Sequence, residues 1–314
     1  MDLNEYLSLT LGARYTEDTK GSTPDQFDYA NPALKYLPVR KYEDTFESTT
    51  VSGTVTYRWS PSVMTYLSYS EGFKGGGWNS HFNRPQTPQE QAQFQKFNPE
   101  EAETIEFGFK LDLLGNTLRL NGAVFTTDYT DLQFSYRVGV APYLANAGEA
   151  SIEGFEIEAS WLPVDDWTID AGVGYLNTRI DTLRTIAGTA IGVEVGNELP
   201  FSPQWQANLG IGYSFAGPGG WRLDPRVDLS YQTKTYFDAN NTEEIAQDDS
   251  VTVVNVSVTL QPASEAWRLT AGLNNATNEE YAVGGNSSLT TSSGYAEIGY
   301  ARPREWFLTL NYDY

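Results

Sequence analysis

The sequence predicts an all-β fold, an antiparallel transmembrane barrel with about twelve strands in these 314 residues. Three observations lead there. Segments with an apolar residue at every second position recur along the chain, and the positions between them are charged or amidic, so one face is greasy and the other meets water. The apolar rows tend to begin or end in Trp or Tyr (Trp59, Trp161, Trp167, Tyr175, Trp205, Tyr213, Trp221, Tyr231, Trp267, Trp306), as at a lipid interface. The connections alternate between long and short, which a soluble sandwich or propeller has no reason to do.

Leu7, Leu9, Leu11, Ala13 and Tyr15 make the first strand, alternating with Ser8, Thr10, Gly12 and Arg14. After a polar stretch, Val51, Val55, Tyr57 and Trp59 mark the second, and Ser60-Pro61-Ser62 turns the chain. The third runs from Val63 to about Phe73 with apolar residues on both faces. A long loop over 74–98 follows. Ile105, Phe107, Phe109, Leu111 and Leu113 define the fourth strand against Glu106, Gly108, Lys110 and Asp112, and it ends at Leu114-Gly115-Asn116, where Gly and Asn tolerate the positive φ of a hairpin. Leu118, Leu120, Gly122 and Val124 build the fifth, open to continuation through Leu132 to Arg137. Phe155, Ile157, Ala159 and Trp161 form the sixth, opposed by Glu156, Glu158 and Ser160. Pro163 to Asp166 turns into Trp167, Ile169, Ala171, Val173 and Tyr175. Strand eight is Trp205 to Tyr213, and Ala216-Gly217-Pro218-Gly219-Gly220 leads to Trp221, Leu223, Val227, Leu229 and Tyr231. Val254, Val256, Val258 and Leu260, then Trp267, Leu269, Ala271 and Leu273, precede the last strand. There Trp306, Leu308, Leu310, Tyr312 and Tyr314 alternate with polar residues, Phe307 being the one apolar exception. A terminal strand with an apolar face needs a neighbour, so it is expected to close a barrel.

Composition narrows the classes. No run of eighteen apolar residues exists, so no transmembrane helix is predicted. The 20 Tyr, 15 Phe and 8 Trp suit aromatic girdles. Cysteine is absent, which removes disulfides and thiolate chemistry. A net charge of −21 argues against nucleic acid. Met1-Asp2-Leu3-Asn4 has no basic region, apolar core or cleavage site; an outer-membrane protein needs a secretory signal, so the N-terminus is expected to have been cut away.

Several segments resemble the C-terminal half of TonB-dependent outer-membrane receptors. They are Ser68 to Asn79, with its glycines where strand gives way to loop; Phe97-Asn98-Pro99-Glu100 with Glu103, Glu106, Gly108 and Lys110; Asn146 to Ala150 followed by Gly154-Phe155-Glu156; Leu199 to Pro203; Leu273 to Tyr281; and Ala301 to Arg304. They follow the family's order over about 240 residues. The resemblance implies the last twelve strands of a twenty-two-strand barrel, residues 1–314 forming one barrel domain without plug or signal peptide. It also implies bacterial outer-membrane localisation and energised uptake of a ferric siderophore, cobalamin or a glycan, a siderophore first. Implied partners are outer-membrane lipid, the TonB complex through an absent N-terminal plug, and the barrel-assembly machinery through the strand ending at Tyr314. A passive diffusion porin of about twelve strands is the alternative, and a structural or adhesive protein using its long loops is a third reading.

Candidate residues fall in two groups. Trp78, Asn79, His81 and Arg84 in one long loop, and Tyr136, Arg137 and Tyr143 in another, offer ligand contact by stacking and charge. A lone histidine without acid or nucleophile is ordinarily loop surface, and a girdle residue with solvated neighbours explains the second cluster. Lys110, Asp112, Arg119, Glu156 and Glu158 are expected to face the lumen, against a plug or a water channel. No Gly-x-Ser-x-Gly elbow or spaced triad supports an enzyme. Glu17-Asp18, Glu243-Glu244 and Asp248-Asp249 lack a calcium-loop pattern and read as solvated runs, so neither metal nor cofactor is expected.

Overall fold

The computed structural model describes residues 1–82, 84–89, 91, 96–138, 141–146, 148–184, 192–289 and 294–312, with backbone alone for 136–138 and 141. In chain order the strands are β1 (Leu7–Ser22), β2 (Tyr42–Ser60), β3 (Val63–Lys74), β4 (Gly77–Trp78), β5 (Lys96–Phe97), β6 (Glu100–Leu113), β7 (Leu118–Thr130), β8 (Gln133–Val138), β9 (Ala141–Asn146) and β10 (Gly148–Trp161). They continue with β11 (Trp167–Leu183), β12 (Trp205–Tyr213), β13 (Phe215–Ala216), β14 (Arg222–Gln232), β15 (Val251–Gln261), β16 (Trp267–Asn274), β17 (Ala282–Ser287), β18 (Ala296–Tyr300) and β19 (Glu305–Tyr312).

Twelve of them form one antiparallel meander in the order β1-β2-β3-β6-β7-β10-β11-β12-β14-β15-β16-β19, with β13 beside β14. The pairs β4–β5, β8–β9 and β17–β18 are separate hairpins carried in the long loops. Connections at one end are short (61–62, 114–117, 162–166, 214–221, 262–266) and at the other long (23–41, 75–99, 131–147, 184–204, 233–250, 275–304). The fifth predicted strand does not run on to Arg137. Asp131 takes a positive φ of 53°, which breaks β7, and the chain leaves the wall to form β8–β9. The turn at Leu114-Gly115-Asn116 carries positive φ at all three residues.

The packing is inside-out. The apolar rows are the exposed ones, Leu11, Ile105, Val124 and Leu308 among them, whereas the fully buried large side chains Leu37, Phe82, Ile180 and Ile245 lie outside the twelve-strand apolar rows, in loops or, for Ile180, at the loop end of β11. A water-soluble sheet with one such face would aggregate; a wall with hydrocarbon outside needs it. Paired residues share a face, so the register carries the polar row across strands: Lys110 faces Asn121, Asn121 faces Glu158, and Glu158 faces Gly172.

Phe307 has a physical reason on the polar face. It pairs with Gly272, and a Cβ there would lie 2.7 Å from its ring, so the aromatic covers a bare stretch of backbone. Tyr66 over Gly108, Phe109 over Gly122 and Phe125 over Gly154 repeat the device. Tyr66 also explains the mixed faces of β3, since its hydroxyl donates to Glu106 at 2.7 Å on the inner side.

Among the described residues β1 and β19 do not pair with each other, so the meander is open. Their apolar rows are correspondingly bare: Leu11 is 75% and Leu310 65% exposed, against 39% for Ile157 and 40% for Val227 in mid-sheet.

Candidate functional site

Two regions are built for function, the inner wall and the loop cap. On the inner wall the register places Lys110, Asp112, Arg119, Glu156 and Glu158 on the face opposite the apolar rows. Arg119 donates to Asp112 at 2.8 Å across the β6–β7 hairpin. Two further polar sets lie between β10 and β15. Arg226 reaches Asp228 at 2.8 Å and Asp170 at 3.2 Å, Asp170 accepts from Ser160 at 3.2 Å, and Arg222 bridges Asp224 at 3.1 Å and Gln261 at 3.0 Å. Alternation from Arg222 to Asp228 was the available signal, because Arg222, Asp224, Arg226 and Asp228 occupy every second position of β14. These pairs are part-exposed to a wet lumen, so they fix side-chain direction more than they stabilise.

The loops are stitched together rather than splayed. Asn79 donates to Leu144 O and accepts from Leu144 N, both at 2.8 Å, and thereby ties the 75–99 loop to the β8–β9 hairpin. Tyr143 is buried edge-on against Phe82 with ring centroids 5.2 Å apart, and Gln26 brackets the Phe82 backbone from the first loop. Gln133 N–H donates to the buried Glu100 carboxylate at 2.6 Å, and its amide reaches Asn98 O at 2.8 Å. Asn146 accepts from Asn98 N–H at 2.5 Å. Phe134, Val193 and Ala239 from three loop regions form a small core with Ile180 at the loop end of β11, and Phe237, Ile245 and Ala282 form a second.

In the 233–250 loop one cation organises the chain. Lys234 lies 2.5 Å from Glu243, 2.9 Å from Asp248 and 4.7 Å from the Tyr236 ring centroid, and Tyr236 donates to Glu243 at 2.8 Å. The bond to Glu243 holds the ammonium above its ordinary value, and the bonds from Lys234 and then Tyr236 hold the Glu243 carboxyl below its own. Nearby, burial pushes the Glu198 carboxyl up. The Glu243 contribution is therefore present above the ordinary carboxylate pKa near 4.3 and lost as pH falls through its depressed folded value. The Lys234 contribution is present below its ordinary value and lost as pH rises through the raised one. Amide protection over 233–250, taken against the intrinsic exchange rate at each pH, is accordingly expected to hold between about pH 5 and 9 and to fall throughout that range in Lys234→Met; identical protection in the variant would remove the organising role of Lys234.

Of the other loop candidates, Trp78 is half-buried beside Phe46, 6.0 Å between centroids, and lines a recess of about 600 Å³ with Lys20, Lys74, Phe97, Gln133 and Leu144. Lys20 is held by Asp18 at 3.0 Å and Gly76 O at 3.1 Å, and Lys74 lies 3.5 Å from Glu100. The recess is thus nearly neutral, and aromatic surface rather than net charge is what it offers a ligand. His81 and Arg84 are exposed on the same loop. Tyr136 pairs with Tyr143 and Arg137 with Pro142 through backbone, and the side chains of Tyr136 and Arg137 lie outside the described residues, as does Tyr314. Among the described residues no group of three or more His, Asp or Glu is placed to hold a metal ion.

An antiparallel meander with an apolar outer face, a charged inner face and interlocked loops at one end is the wall of an outer-membrane β-barrel. The family model described as "TonB dependent receptor-like, beta-barrel" matches residues 1–276, and the chain belongs to that family, outer-membrane proteins of Gram-negative bacteria that are transporters and receptors rather than enzymes. The "Probable TonB-dependent siderophore receptor PiuA" of Acinetobacter baumannii is 29% identical over 199 residues, 62% of this chain and 26% of its own. The "Pesticin receptor" of Yersinia enterocolitica is 26% identical over 189 residues, 59% of this chain and 25% of its own. Among solved structures, the ferric yersiniabactin uptake receptor FyuA of Yersinia pestis matches with a TM-score of 0.76 at 18% identity, over 99% of this chain and 44% of that one. The chain therefore spans about a quarter of the length of these curated relatives and under half of the solved one.

Proposed function

We propose that these residues form the loop-bearing half wall of a TonB-dependent receptor that takes up a ferric siderophore. The open meander supports this most: twelve strands run in unbroken order, β1 and β19 do not pair with each other among the described residues, and six long loops at one end interlock. A self-closed twelve-strand porin would need a β1–β19 ladder, and none is present among the described residues. In the whole receptor the loops capture the ligand outside, a plug from the preceding chain sits against Lys110, Asp112, Arg119, Glu156 and Glu158, and TonB draws on the proton-motive force to shift it. The barrel-assembly machinery recognises the last strand of the wall, β19. The siderophore choice follows the relative named as a probable siderophore receptor.

Trp78, His81 and Arg84, with Tyr136 and Arg137, are the residues assigned to ligand, and Asn79 and Tyr143 hold the loops that carry them. In the full-length receptor, His81→Ala combined with Arg84→Ala is expected to raise the ferric-siderophore Kd about tenfold, about 1.4 kcal/mol, with unchanged barrel migration on gels. Uptake of iron-55 that is TonB-dependent and lost in cells lacking the receptor supports the reading; receptor-dependent growth on cobalamin or a glycan, with no iron uptake, overturns the ligand class.

A further inference from the structure

The short turn between β2 and β3 closes one end of a hollow in the inner wall. Arg58 pairs with Met64, Met64 with Lys110 and Lys110 with Asn121, so these four residues share one row of the lumen face. Arg58 and Lys110 stand two strand spacings apart, about 10 Å, with Met64 between them in the row. The ladder slips at Trp59, between Arg58 and Ser60, and such a bulge re-aims the neighbouring side chains. Ser62 N–H donates to Ser60 Oγ at 3.2 Å and Asp112 N–H to Ser62 O at 2.8 Å, which ties the turn to the end of β6. The hollow measures about 300 Å³, and Arg58, Ser62, Met64, Lys110, Arg119 and Asn121 are in its lining.

Its charges do not balance. Three cations, Arg58, Lys110 and Arg119, meet one carboxylate, Asp112, in a chain whose net charge is −21. Asp112 is taken by Arg119, whose Nε donates to it at 2.8 Å. Among the described residues neither Arg58 nor Lys110 forms an ion pair or a side-chain hydrogen bond. Glu158 follows Asn121 in the row, and Asp2 and Glu5 border a second recess beside Arg58, yet none of the three pairs with either cation. Asn121 Oδ1 is buried without a partner, so the Lys110 ammonium is not spent on it either.

We propose that Arg58 and Lys110 bind one oxyanion over Met64, a carboxylate or a phosphate, at the periplasmic mouth of the lumen. Both side chains carry donors only, and the thioether between them is a weak acceptor, so a group rich in acceptor oxygens is what the row lacks. An anion between two cations also removes the repulsion that the wall otherwise bears. The short turns set the periplasmic side. The inference rests on the receptor reading in one respect, that a plug from the preceding chain meets this face.

Zero-length carbodiimide coupling of the full-length receptor in detergent, followed by peptide mass spectrometry, reads which carboxylate touches Lys110. An amide between Lys110 and an Asp or Glu of the preceding chain assigns the oxyanion to a plug side chain, and its yield is expected to fall about threefold in Arg58→Gln. If that amide is absent, millimolar inorganic phosphate that slows acetylation of Lys110 about fivefold, and does so less in Arg58→Gln, assigns a free anion. Coupling of Lys110 to Asp112, Glu158, Asp2 or Glu5 alone, or neither coupling nor protection, would overturn the proposal. Heat-modifiable migration checks that Arg58→Gln is folded, and the first two readouts stand on the unaltered receptor. Iron-55 uptake is scored separately: a negative result at Lys110 with uptake intact removes this site and leaves the receptor reading in place.

Discussion

Ile157→Arg is expected to destabilise the folded wall by about 2–4 kcal/mol, the cost of a guanidinium near mid-bilayer on the lipid face of a barrel. Glu158→Ala, one position along the same strand, is expected to leave insertion intact and stability within about 0.5 kcal/mol. The asymmetry follows from the period of two. Ile157 lies opposite Val173 and Gly122 in the apolar row, and Glu158 lies opposite Gly172 and Asn121 in the polar one. Ile157 is four residues from Trp161, an interfacial tryptophan at the short-turn end, which puts it well inside the hydrocarbon. Urea unfolding of the full-length receptor from phospholipid vesicles measures both. Loss of membrane integration in Glu158→Ala would contradict the assignment of faces.

Gly272→Val should be the next most damaging change, about 1–3 kcal/mol by overpacking. A Cβ at Gly272 would meet the Phe307 ring at 2.7 Å and Val256 O at 2.8 Å, and only the ring can move aside. Phe307→Ala alone is expected to cost about 1 kcal/mol, the value of one cross-strand pair, and in the Gly272→Val background to return part of the loss. Additive effects in the same urea titration would show that the two residues do not act as a pair.

How much of this was legible in the sequence depends on whether the signal was periodic. Strand eight, Trp205–Tyr213, was readable to the residue, because alternation and interfacial aromatics end together there. The end of β7 was not: Asp131 adopts a left-handed conformation, and apolar residues beyond it imitate a continuing strand. Phe307 looked like an exception until its neighbour across the ladder proved to be Gly272, a pairing that no single strand contains. The family-like segments were visible as motifs, but their work is three-dimensional. Asn98 meets Asn146, Leu199 N–H donates to Thr178 at 3.0 Å, and Asn275, at φ 50°, exchanges hydrogen bonds with Glu279 at 2.7 and 2.8 Å. These residues build the junctions between strand and loop. The loop contacts of Asn79 and Tyr143 were equally hidden, since a polar or aromatic loop residue reads as surface until its partner is known.

The measurement that bears most directly on the open wall is refolding of this polypeptide alone into bilayers, followed by heat-modifiable gel migration and single-channel recording. Among the described residues β1 and β19 do not close on each other, which predicts aggregation or incomplete folding, with a heat-modifiable species appearing only when the complementary barrel segment is supplied. A discrete, steady conductance from this chain alone would contradict the account, because it would mean that twelve strands close by themselves.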